Sequence, residues 1–167
     1  MGIMLIISIL LTVAAIVTVS ITEKKLPKSI SALVWSLSDC HRWLWSCWLW
    51  IVVLTLAPSL FEAMPESCSL PAFLSVVCLM FVGAFPLFDN KHENLHIALA
   101  VIGGILSQVC VMIICPWCLL TWIVFLVLFV WNTKDHDKSW NDWYHGVFVA
   151  EIICMAALYM SVFKEVY

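Results

Sequence analysis

Six apolar runs, at residues 2–21, 43–61, 71–88, 95–114, 116–131 and 146–163, take up most of the chain, and each is apolar on all sides rather than along one stripe. A helix on the surface of a water-soluble domain needs a polar face, and a run without one belongs in a dry interior or in lipid. Buried or in lipid, the backbone N–H and C=O groups must bond within the segment, so runs of this length read as helices. Charged residues make up 11% of the sequence and apolar ones 64%, with a mean hydropathy of +1.05. A soluble domain carries about 25% charge. The expectation is an all-α fold: an integral membrane bundle of six transmembrane helices forming one polytopic domain over residues 1–167. Its surroundings are then a lipid bilayer, and nucleic acid is excluded as a partner. The first run lacks a basic segment before it and a small-residue cleavage site after it, and so reads as a retained helix.

Prolines punctuate the runs. Pro58, Pro65 and Pro71 mark the connection after the second helix, and Pro86 is expected to kink or end the third. Pro116 divides the fourth run from the fifth and suits the first turn of a helix, where its missing N–H is not needed. Cationic residues then orient the bundle. With the N-terminus outside, Lys24, Lys25, Lys28, Arg42, Lys91, Lys134 and Lys138 all fall on the cytoplasmic side and only Lys164 falls outside. This positive-inside bias predicts a multi-pass protein of the cell membrane with both termini outside. Trp35, Trp43, Trp45, Trp131, Trp140 and Trp143 read as an interfacial aromatic belt on the inner side, and Trp117 marks the outer one. Trp48 and Trp50 exceed what a belt requires and are expected to pack within the bundle or line a pocket. On this map Cys68, Cys115 and Cys118 are extracytoplasmic, and all five histidines are cytoplasmic or at that interface.

The outer boundary carries "ICPWCLLTW", residues 114–122. A dithiol spaced i,i+3 can close a disulfide, and the positive end of a helix dipole stabilises a thiolate there. The compartment expected on that side also favours disulfides. Eight cysteines in 167 positions produce a bare Cys-x-x-Cys by chance about 0.4 times, so spacing alone leaves open a second reading, small polarizable residues packing a bundle.

"CPWCLLTW" resembles the active-site segment of the vitamin K epoxide reductase family, whose bacterial members carry a Cys-x-x-Cys at the outer end of the last core helix. The resemblance implies that helices two to five form a four-helix core and that the activity is thiol-disulfide exchange coupled to a quinone. Cys118 would face the quinone and Cys115 would exchange with a shuttle pair, and Thr121 and Trp122 occupy the cofactor-binding places. The thiol partner would be a periplasmic or extracellular protein. The family's outer loop bears a second cysteine pair, whereas "FEAMPESCSLPA" has Cys68 alone. Cys68 is then a possible redox partner through a mixed or interchain disulfide, or through a bond with Cys115.

At the opposite boundary stands "HENLH", residues 92–96. Histidines at i,i+4 share a helix face and can hold zinc, with Glu93 as general base, which makes His92 and His96 candidate ligands of a metallohydrolase or a structural zinc. His136, Asp135, His145 or Glu151 would complete the set. The alternative is that these residues, with Asp89 or Asn90, cap the fourth helix at the interface. Glu151 lies inside an apolar run, where a carboxylate needs a partner, and His96 and His145 are its candidates. Gln108, in mid-run, is expected to bond between helices.

The longer segments "PKSISALVW" and "FVGAFPLFDNKHENLHIALA" are similar to those of DRAM-like six-helix membrane proteins. That resemblance implies a compact non-catalytic bundle that senses or binds lipid.

Overall fold

The computed structural model describes residues 2–23, 29–30, 34, 37–88, 93–133 and 143–167. They form six α-helices: α1 Gly2–Glu23, α2 Arg42–Ala63, α3 Ser69–Phe88, α4 Glu93–Ile114, α5 Thr121–Thr133 and α6 Trp143–Val166. No strand occurs among the described residues. Among the described residues four segments are long and apolar enough to cross a membrane, Arg42–Ala63, Glu66–Phe85, Asn94–Ile114 and Gly146–Val166, while Gly2–Thr18 and Pro116–Leu128 are apolar but shorter.

Consecutive helices α1 to α4 pack side by side, and α6 returns through the bundle to lie against α1, α2, α4 and α5. Two apolar clusters mark its ends. One joins Leu5 of α1, Leu60 of α2, Ala72 of α3, Cys110 of α4 and Val162 of α6. The other joins Ile30, Val34, Trp45, Val82 and Phe148. Helices α1 to α4 therefore alternate in direction, and α6 ends where α4 ends. At the first end Gly2 lies against the Tyr167 ring so closely that a Cβ there would collide with the phenol. Both described termini thus share an end with the Cys-Pro-Trp-Cys turn.

The packing inverts that of a water-soluble domain. The fully buried side chains include Ser8, Ser46, Ser59, Ser75 and Ser161, whereas Ile105, Leu126 and Trp117 are 60%, 57% and 74% exposed. Small residues inside let helix backbones approach closely, and each buried hydroxyl then needs a carbonyl to bond. Ser75 Oγ donates to Gly103 O at 3.0 Å across the α3–α4 contact, and Ser161 Oγ donates to Leu158 O at 2.8 Å within α6.

Helix ends follow the prolines, with corrections to the sequence reading. Pro58 lies inside α2 and does not belong to the connection, while Pro71 is in the first turn of α3. The helix runs two residues past Pro86. The stop of α2 comes from Pro65, because its ring disfavours helical geometry at the preceding residue. Met64 is accordingly extended, at φ −85° and ψ 138°, and its N–H still bonds Leu60 O at 3.1 Å. Pro116 acts on Cys115 in the same way, at φ −150° and ψ 85°, and ends α4. The chain after it winds first as a 3₁₀ turn, Pro116–Leu120, with the α-helix starting only at Thr121.

Candidate functional site

The break at Cys115 shapes the dithiol. Cys115 N–H bonds Val111 O at 2.8 Å, completing α4, and Cys118 N–H bonds Cys115 O at 2.9 Å, closing the turn. Both cysteines are buried in the cluster beneath the bundle end, at 3% and 9% exposure, under an exposed Trp117. All eight cysteines are free thiols. Lys164 Nζ, reaching back from the last turn of α6, donates to the Cys115 sulfur at 3.6 Å. The Cys118 hydrogen bond holds the Cys115 thiol below its ordinary range; burial opposes it, and the Cys118 backbone N–H and the Lys164 charge reinforce it. The α-helix expected from Pro116 onward begins only at Thr121. The turn after Cys115 is a five-residue 3₁₀ segment, and the partners that favour a thiolate are a thiol and an ammonium.

Cys68, in the 3₁₀ turn Glu66–Cys68 ahead of α3, packs half-buried against the cluster that contains Cys115 and Cys118. Three thiols contributed by two connections of the chain thus converge on one end.

Thr121 and Trp122 are committed to the fold. Thr121 Oγ1 donates to Cys118 O at 2.8 Å, tightening the turn, and Trp122 Nε1 donates to Gln108 Oε1 at 2.8 Å. An indole N–H only donates, which fixes the Gln108 oxygen toward it and the amide nitrogen toward α6. That nitrogen lies 3.1 Å from Cys154 O and 2.9 Å from Cys154 Sγ. Ser107 Oγ sits 3.3 Å from the same sulfur. Gln108 therefore bonds between helices as expected from sequence, and joins α4 to both α5 and α6. Trp48 and Trp50 likewise pack inside, donating to Leu11 O at 3.1 Å and Met80 O at 3.0 Å.

At the opposite end, His92, Asp135 and His136 lie outside the described residues. His96 is 2% exposed within the bundle, its ring 6.3 Å from that of Trp45, and so does not cap α4 from the interface. Among the described residues no three His, Cys, Asp or Glu side chains gather as metal ligands would. Glu151 accepts a hydrogen bond from the backbone N–H of Ile30, a partner that sequence reasoning did not consider.

The contact of Lys164 with the dithiol is not among the sequence expectations, although the sequence carries a signal for it, since Lys164 is the one cation that the positive-inside map puts on the side of Cys115 and Cys118. No protein-family model, curated protein or solved structure matches the chain.

Proposed function

We propose that the protein crosses the bilayer six times, with both termini and the Cys-Pro-Trp-Cys turn on the extracytoplasmic side, and that it oxidises thiols of a protein in that compartment. The observation that carries this reading is the turn that buries Cys115 and Cys118 in one cluster, closed by the Cys118 N–H on Cys115 O at 2.9 Å, with the Lys164 ammonium on the Cys115 sulfur and Cys68 packed against the same cluster. In membrane, the large apolar side chains left exposed are lipid contacts; in water the same surface would aggregate.

The reaction starts from a Cys115–Cys118 disulfide. A thiolate of the partner attacks Cys115, the disulfide breaks, and Cys118 leaves as a thiolate that takes up a proton. The partner's second thiolate then attacks its own sulfur in the mixed disulfide, and Cys115 leaves as a thiolate. The partner has gained a disulfide, and its two electrons reside in the Cys115–Cys118 pair. A thiol held below its ordinary pKa leaves faster and stabilises the reduced pair, which makes the disulfide more oxidising.

Reoxidation needs an acceptor of two electrons and two protons, chemistry that a lipid-soluble quinone supplies when bound. The residues present fit such a group: Cys118 belongs to an apolar cluster that also holds Val111 and Leu119, and Trp117 and Leu120, its neighbours in the turn, are exposed. Since the Trp122 N–H and Thr121 hydroxyl already donate within the protein, these two residues would offer a quinone surface and not hydrogen bonds. Proteoliposomes containing the full chain and a soluble quinone analogue should oxidise a dithiol peptide, and the C115S and C118S variants should not. Equal rates for wild type and both variants would remove the proposal.

A further inference from the structure

Lys164 and Cys115 lie 49 positions apart in the sequence, yet the ammonium reaches the sulfur at 3.6 Å. We propose that Lys164 is a catalytic residue of the dithiol, holding the negative charge of the reduced pair on Cys115 and so fixing Cys115 as the sulfur that exchanges with the partner. The inference rests on the redox reading above but makes a separate claim, about which sulfur carries the charge and what keeps it there.

The geometry is one-sided. The Lys164 ammonium donates to the Cys115 sulfur, while Cys118 is tied to Cys115 through its backbone N–H, which bonds Cys115 O at 2.9 Å. An ammonium stabilises an anion that it hydrogen-bonds. Cys115 is 3% exposed and has little water to solvate a charge, whereas Lys164 is exposed. In the exchange step the Cys115–partner sulfur bond breaks and its electron pair stays on Cys115. At that moment the full negative charge appears beside Lys164. Cys118 retains its proton throughout that step and gives it up only on reoxidation.

The test is the pH dependence of iodoacetamide alkylation at Cys115 in the full-length protein, reduced in detergent and read by mass spectrometry of the cysteine peptides. Wild type, K164R and K164Q are compared, each also in a C118S background that cannot close the disulfide. Helix content by circular dichroism confirms that each variant is folded, which is expected because Lys164 is exposed. In wild type, Cys115 should alkylate ahead of Cys118. K164Q should move the Cys115 profile to higher pH and slow its alkylation at pH 7 by roughly ten-fold, the change that follows one unit in thiol pKa. K164R should restore most of the rate, and the K164Q effect should persist in C118S. Superimposed profiles for wild type and K164Q, or faster alkylation of Cys118, would overturn the assignment. A persistent Lys164 effect in a protein that never oxidises a dithiol would sink the redox reading and leave the charge assignment standing.

Discussion

The indole N–H of Trp122 donates to Gln108 Oε1 at 2.8 Å, tying α5 to α4 one helical turn below the Cys-Pro-Trp-Cys turn. α5 otherwise packs chiefly against α6 and its own 3₁₀ turn. Removing the donor strands an amide oxygen in apolar surroundings. W122F should cost about 1 kcal/mol, toward the middle of the range for hydrogen bonds between membrane helices. The double variant W122F/Q108L should cost less than the sum of the single changes, because the two residues share one bond. Thermal unfolding of the four proteins in one detergent measures both quantities, and strict additivity would show that the bond contributes nothing.

Tyr159 OH stands 2.8 Å from Ser8 Oγ and 2.9 Å from Thr12 Oγ1, joining α6 to α1. Ser8 also donates to Val52 O at 2.9 Å on α2. Y159F leaves Ser8 its carbonyl but takes one partner from Thr12. The expected loss is about 1 kcal/mol, with amide exchange accelerated in α1 before the other helices. Uniform acceleration across the bundle would contradict a local role.

A Cβ built on Gly83 would lie 2.7 Å from Trp50 Nε1, well inside contact distance. G83A must therefore push the indole away from Met80 O, which it now meets at 3.0 Å. The variant should lose stability by about 1–3 kcal/mol in the same unfolding assay, the usual cost of overpacking. A change below a few tenths would mean that Trp50 finds another place at no cost.

These interior contacts show what the sequence could and could not reveal. The helices were legible because unbroken apolar runs allow few other structures, and Gln108 because a polar residue amid such a run needs a partner. The stop at Cys115 was legible from Pro116, although the 3₁₀ winding after it was not. Pro58 misled because proline marks helix ends in water-soluble chains, whereas apolar helices packed in bundles accommodate it. The partner of Glu151 was hidden for another reason. It is the backbone N–H of Ile30, and a backbone donor in a polar connection carries no residue-type signal. The sequence puts Lys164 at the same end of the bundle as Cys115, but contact between them across 49 positions depends on how α6 packs against α4.

The map of sides makes a direct expectation. Glu66 and Cys40 belong to opposite ends of the bundle, one in the turn before α3 and the other just ahead of α2, and both are exposed. In intact cells a membrane-impermeant maleimide should label E66C and leave Cys40 unmodified until the membrane is opened. Labelling of Cys40 alone would invert the orientation and place the dithiol in a reducing compartment.

Cycling of Cys115 and Cys118 between dithiol and disulfide is read most directly from their redox state in rapidly acid-quenched native membranes, by differential alkylation and mass spectrometry, before and after a pulse of reductant. A Cys115–Cys118 disulfide is expected at rest, lost on reduction, and restored once the reductant is removed. In C118S a mixed disulfide through Cys115 should be trapped. A pair that is fully reduced at rest, and stays so in the presence of quinone, would rule the cycle out.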